Sequence, residues 1–102
     1  MNPILQTKIE AQIKSDRIVI YMKGTPEAPQ CGFSAATVQV FQALGKPFST
    51  FDILQDPELR QGMKEFSQWP TFPQVYIDGE FVGGCDIIME LNQRGELAQM
   101  VA

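Results

Sequence analysis

Residues 17–53 read RIVIYMKGTPEAPQCGFSAATVQVFQALGKPFSTFDI. Arg17 to Met22 is a short apolar run rich in β-branched residues, which suits a buried strand. Gly24 to Gln30 carries prolines at 26 and 29 and breaks that strand into a loop. From Phe33 to about Leu44 the apolar spacing is helical, and Gly45 and Pro47 are stop signals. Phe48 to Ile53 reads as a second strand. A strand, a helix and a strand of these lengths make a βαβ unit, with parallel strands and a right-handed crossover.

The flanks extend this unit in both directions. Leu5, Ile9 and Ile13 recur every four residues and predict an amphipathic helix ahead of the first strand. After the second strand, Asp56-Pro57 places an N-cap before proline at the first helical position, opening a helix with Leu59, Met63 and Phe66 inward. Gln74–Ile77 and Glu80–Gly83 flank Asp78-Gly79, a strong two-residue hairpin signal, so the last two strands are antiparallel. Ile87, Ile88 and Leu91 line a final helix that stops near Gly95. The order helix, βαβ, helix, hairpin, helix is that of an α/β thioredoxin-like domain: a four-stranded mixed sheet with helices on both faces, filling residues 1–102 as one domain.

Composition narrows the function. The chain of 102 residues is 44% hydrophobic, enough for one core, and its net charge of −4 is spread along the sequence. No basic face points to nucleic acid. No apolar stretch reaches the roughly 18 residues needed to cross a bilayer, and the N-terminus has no export signal. The expectation is a soluble cytoplasmic protein, unless a targeting peptide preceded Met1. The sequence contains no histidine, which removes Ser-His and Cys-His nucleophile pairs and histidine-bearing zinc sites. Two cysteines, Cys31 and Cys85, remain as nucleophiles or soft-metal ligands.

Cys31 falls where the loop enters the second helix. Its sulfur there faces unpaired backbone N–H groups and the positive end of the helix dipole, with Lys23 nearby; both favour the thiolate. Burial as a small packed residue is the alternative. A second redox cysteine would stand three residues later, but that position is Ser34, and a hydroxyl forms no disulfide. Cys31 can still attack glutathione disulfide, without a neighbour to resolve the product. Iron chemistry fits better, because a [2Fe–2S] cluster takes four thiolates: two chains give two, and external thiols the rest.

Cys31-Gly32-Phe33-Ser34, preceded by Lys23-Gly24-Thr25-Pro26 and Pro29, resembles the signature of the monothiol glutaredoxins of the CGFS type. Trp69-Pro70-Thr71-Phe72-Pro73-Gln74 and Gly83-Gly84-Cys85-Asp86 match that family's two later motifs, so the resemblance covers nearly the whole chain. It implies a [2Fe–2S] cluster held in a homodimer by Cys31 of each subunit and two glutathiones. It further implies delivery to apo iron–sulfur recipient proteins and pairing with a BolA-like protein.

Glutathione brings two carboxylates, an amine and a thiol. Lys23 is a candidate for one carboxylate, and Arg60 with Lys64 for the other; the resemblance supports Lys23 and Arg60, and a solvated surface charge is the alternative for each. Phe72-Pro73 resembles the cis-proline segment of thioredoxin-like proteins, which would let Phe72 pair its backbone with glutathione; an ordinary trans proline opening an edge strand is the alternative. Asp86 is a candidate for the amine as well as a helix N-cap. Cys85 is read as a backbone contact to glutathione, against a packed thiol or a slow redox partner of Cys31. Trp69 and Phe33 are read as core or site wall.

Overall fold

A computed structural model describes residues 1–102. The elements are α1 (Pro3–Ile13), β1 (Ile18–Met22), α2 (Gly32–Leu44), β2 (Ser49–Asp52), α3 (Pro57–Ser67), β3 (Gln74–Ile77), β4 (Glu80–Gly83), α4 (Cys85–Gln93) and α5 (Glu96–Met100). The four strands form one sheet in the order β2-β1-β3-β4. β1 pairs parallel with β2, whereas β3 runs antiparallel to both β1 and β4. This is the mixed sheet expected from the βαβ unit followed by a hairpin.

Every residue of β1 is buried. A strand covered on both faces needs no polar alternation, which is why Ile-Val-Ile-Tyr-Met is apolar throughout. Its side chains divide between two cores. Ile18, Ile20 and Met22 pack with Val38 and Phe41 of α2, Ile88 of α4 and Leu97 of α5. Val19 and Tyr21 face the other way, onto Leu5, Ile9 and Ile13 of α1 and Leu59 and Met63 of α3. The helices thus cover both faces, forming a thioredoxin-like fold.

The local signals act as their chemistry requires. Asp56 caps α3 by accepting from the Leu59 N–H at 3.1 Å, with Pro57 in the first turn. Asp78 and Gly79 take φ of 53° and 81°, so both central residues of the turn are left-handed, as a type I′ hairpin demands. Two expectations need correction. β2 spans only Ser49–Asp52, with Phe48 and Ile53 as apolar anchors at its two ends; the Ile53 N–H still donates to the Met22 carbonyl at 3.0 Å. The chain also does not end its structure at Gly95: α5 follows, seating Leu97 and Val101 in the core.

Candidate functional site

The loop between β1 and α2 returns on itself. Gln30 N–H donates to the Lys23 carbonyl at 2.9 Å, and Gly24 pairs with Pro29 as an isolated bridge. Gly24 has φ +89°, and a Cβ there would stand 2.5 Å from the Ala28 carbonyl oxygen, so only glycine fits. Its N–H is held by Asp52 Oδ1 at 2.9 Å, which fastens the loop to the end of β2. The loop therefore delivers Cys31 to a fixed place, the N-cap of α2, with extended φ and ψ of −155° and 136°.

At that place the Cys31 thiol is half-exposed and free. It makes no aligned capping hydrogen bond, yet its pKa lies below that of an ordinary thiol. The Ser34 backbone N–H is the largest cause, followed among the favourable ones by the Phe33 N–H, the charge of Lys23 and the Ser34 hydroxyl; partial burial works in the opposite direction. The helix start thus outweighs the lysine. Ser34 itself is fully buried, at 0% exposure, and its oxygen accepts from the Lys23 N–H at 3.2 Å.

Cys31 opens onto a groove of about 490 Å³. One side is formed by Lys23 and Phe33, another by Arg60 and Lys64 of α3, a third by Trp69 to Pro73, and the floor by Gly84, Cys85, Asp86 and Ile87 at the start of α4. The structure thereby brings together every site residue read from the sequence: Cys31, Lys23, Arg60, Phe72, Cys85 and Asp86, with Lys64 beside them. The Phe72–Pro73 peptide bond is cis. Cys85 is half-exposed and free, and Asp86 is an acidic residue in the first turn of α4.

The electrostatics of the groove run against those of the whole chain. The three ion pairs of the protein are Lys8–Asp56, Arg17–Asp78 and Arg94–Glu90, so Lys23, Arg60 and Lys64 carry unneutralised charges in a molecule of net charge −4. The Arg60 Nε is buried without a hydrogen-bond partner. So is the Trp69 Nε1, whose ring presses on Gly84; a Cβ at that glycine would lie 3.3 Å from the indole nitrogen. Unpaired buried donors are costly, and a groove that gathers them with unpaired cations and two helix N-termini suits an anionic, acceptor-rich ligand.

The groove also contains residues to which the sequence reading gave no role. Pro70 and Thr71 line it, as does Ile87, read only as part of the final helix; Trp69, read as core or site wall, is in the wall. Ser34 was legible only as a missing thiol, since nothing in a single sequence shows that its hydroxyl is buried against Lys23.

Residues 18–82 match the glutaredoxin family profile. The chain belongs to the glutaredoxin family. It is 52% identical over 101 residues to a monothiol glutaredoxin of Synechocystis, covering 99% of this chain and 94% of that protein. It is also 52% identical over 94 residues to glutaredoxin 4 of Escherichia coli, covering 92% of this chain and 82% of that one. Among solved structures, reduced apo GrxS14 of poplar superposes with a TM-score of 0.84 at 52% identity, over 95% of this chain and 89% of the poplar chain. The glutathione complex of buckwheat glutaredoxin superposes with a TM-score of 0.86 at 25% identity, over 96% and 87%. With Ser34 in place of a second thiol, this glutaredoxin is of the monothiol CGFS kind. No helix in it is long and apolar enough to cross a membrane.

Proposed function

We propose that this one-domain monothiol glutaredoxin carries a glutathione-ligated [2Fe–2S] cluster between two copies of itself and passes it to apo iron–sulfur proteins in the cytoplasm. The observation that carries the reading is a stabilised Cys31 thiolate on a groove with three unneutralised cations and no second thiol in its Cys-x-x-Ser motif.

The residues present fit the group when glutathione supplies part of the ligand set. No three His, Cys, Asp or Glu side chains of one chain stand close enough to hold a metal. Thiolates are the ligands such clusters take, and each chain contributes Cys31. Glutathione supplies the other two. One of its carboxylates would take Lys23 and the other Arg60 with Lys64, the free N–H groups at the start of α4 being open to a carboxylate as well, and Asp86 would take its amine. The buckwheat relative, solved as a glutathione complex, supports this use of the groove. Phe33, 63% exposed beside Cys31, gives the second copy or a BolA-like partner an apolar contact.

A glutathione-dependent disulfide oxidoreductase is the second reading, favoured by Cys85, a second free thiol on the same groove as Cys31. It requires Cys85 or a second glutathione to resolve the mixed disulfide at Cys31. The two readings separate on anaerobic reconstitution with iron, sulfide and glutathione. Visible absorbance of a [2Fe–2S] cluster, lost in Cys31→Ser and kept in Cys85→Ser, supports the carrier; absence of any cluster alongside fast reduction of a glutathione mixed disulfide supports the enzyme.

A further inference from the structure

Gln74 opens β3 directly after Pro73, and its side chain is completely buried, at 0% exposure. A carboxamide in such a position needs partners for its polar atoms. Its Nε2 donates to the Trp69 carbonyl at 3.1 Å and to the Thr71 carbonyl at 3.3 Å, while its Oε1 has none. Those two carbonyls belong to the stretch Trp69 to Pro73, which forms a complete wall of the groove.

Phe72 anchors that wall in the core and Trp69 packs against Phe81, but few polar contacts fix its backbone. It contains no helix or strand, and none of the backbone hydrogen bonds of turns and loops falls on residues 69–73. At its near end Ser67 Oγ accepts from the Trp69 N–H at 3.1 Å and donates to the Met63 carbonyl at 2.7 Å, tying the wall to α3. Gln74 is the matching tie from the sheet. Because β3 pairs with the buried strand β1, the carboxamide transmits the rigidity of the sheet to the wall.

We infer that Gln74 is a positioning residue: by holding the Trp69 and Thr71 carbonyls it fixes the groove wall and so sets glutathione affinity without touching glutathione. The inference rests on glutathione being the ligand of the groove. The chemistry is specific to a carboxamide. One planar NH2 offers two donors to two carbonyls; Met fills similar volume and offers none, whereas Glu presents acceptors to acceptors until it is protonated and then offers one donor.

The test uses the full chain, with reduced glutathione titrated by calorimetry into wild type, Gln74→Met and Gln74→Glu. Emission of Trp69, the single tryptophan, and the thermal midpoint are read in parallel. In Gln74→Met affinity falls on the order of tenfold and the emission shifts to the red as the indole gains water. In Gln74→Glu both changes are present at neutral pH and partly reversed toward about pH 5, where a buried carboxyl regains its proton. Unchanged affinity and emission overturn the inference, and so does a lowered thermal midpoint with both unchanged, since that would show a packing role only. If neither variant folds, the Gln74 carboxamide protons are followed by NMR in the unmodified protein: they shift with glutathione together with the Trp69 and Thr71 amides, and immobility of the Gln74 signals alone overturns the inference. A wild type that takes up no glutathione removes the reading of the groove itself, and the wild-type titration shows that separately.

Discussion

The Ser34 hydroxyl accepts a hydrogen bond from the Lys23 backbone N–H at 3.2 Å, so the residue standing where a second redox cysteine would be joins the end of β1 to the first turn of α2. Its own proton remains available to the Cys31 sulfur, whose anion it helps to stabilise. Ser34 therefore does two things in one buried position: it withholds a resolving thiol and holds the nucleophile's surroundings in place.

Replacing Ser34 tests both roles. Ser34→Ala removes an acceptor from the Lys23 N–H and should cost about 1 kcal/mol, read as a lower urea midpoint with an unchanged slope. Ser34→Cys should allow a disulfide to Cys31 and raise the turnover of glutathione-coupled disulfide reduction. Fast turnover in wild type that does not rise in Ser34→Cys would favour the oxidoreductase reading.

The acidity of Cys31 has a definite ordering of causes, which alkylation rates can follow. The rate of reaction with iodoacetamide tracks the thiolate, so its midpoint with pH should lie below that of a free cysteine peptide. Lys23→Ala should raise the midpoint only part of the way, because the Ser34 and Phe33 N–H groups act more strongly. A full return to the peptide value would make the lysine the dominant cause. The depressed pKa also contributes stability that is present above the unfolded-state thiol pKa and is lost as pH falls through the folded-state value.

The cations of the groove should matter for ligand binding more than for folding. Lys23→Ala and Arg60→Ala should each weaken glutathione binding by several-fold, more at low salt than at high salt, because both side chains are half-buried and screening reaches them. Calorimetry showing no change in either variant would take them out of the site.

Arg17 should behave in the opposite way. Its guanidinium donates to the Met100, Val101 and Ala102 carbonyls at 3.1, 3.0 and 2.8 Å and to Asp78 Oδ1 at 2.9 Å, holding α5 against the hairpin. Arg17→Ala should cost about 1 kcal/mol, limited by its exposure, and leave glutathione affinity unchanged.

Arg17 also shows where sequence reading stops. Its carbonyl partners lie more than 80 residues away, and α5 is a five-residue helix. That is too short for periodicity to register, and it is held largely by contacts made after folding. The βαβ unit and the Asp78-Gly79 hairpin were legible because each is set by neighbours in the chain. The groove was legible at its chemical extremes, a cysteine at a helix start and an acid after two glycines. The parts that hold it together were not: Ser34 and Gln74 act through buried polar contacts, and their residue types alone suggest solvent as readily as core.

The central claim is a cluster shared between two copies through exchangeable glutathione. Reconstituted protein, desalted anaerobically into buffer with and without reduced glutathione and followed by visible absorbance and hydrodynamic size, tests it most directly. A cluster-bearing dimer should persist with glutathione and decay to colourless monomer without it, since ligands held only by non-covalent contacts leave by mass action. A cluster that stays on a monomer with no added thiol would contradict it and make Cys85 or another protein group a ligand.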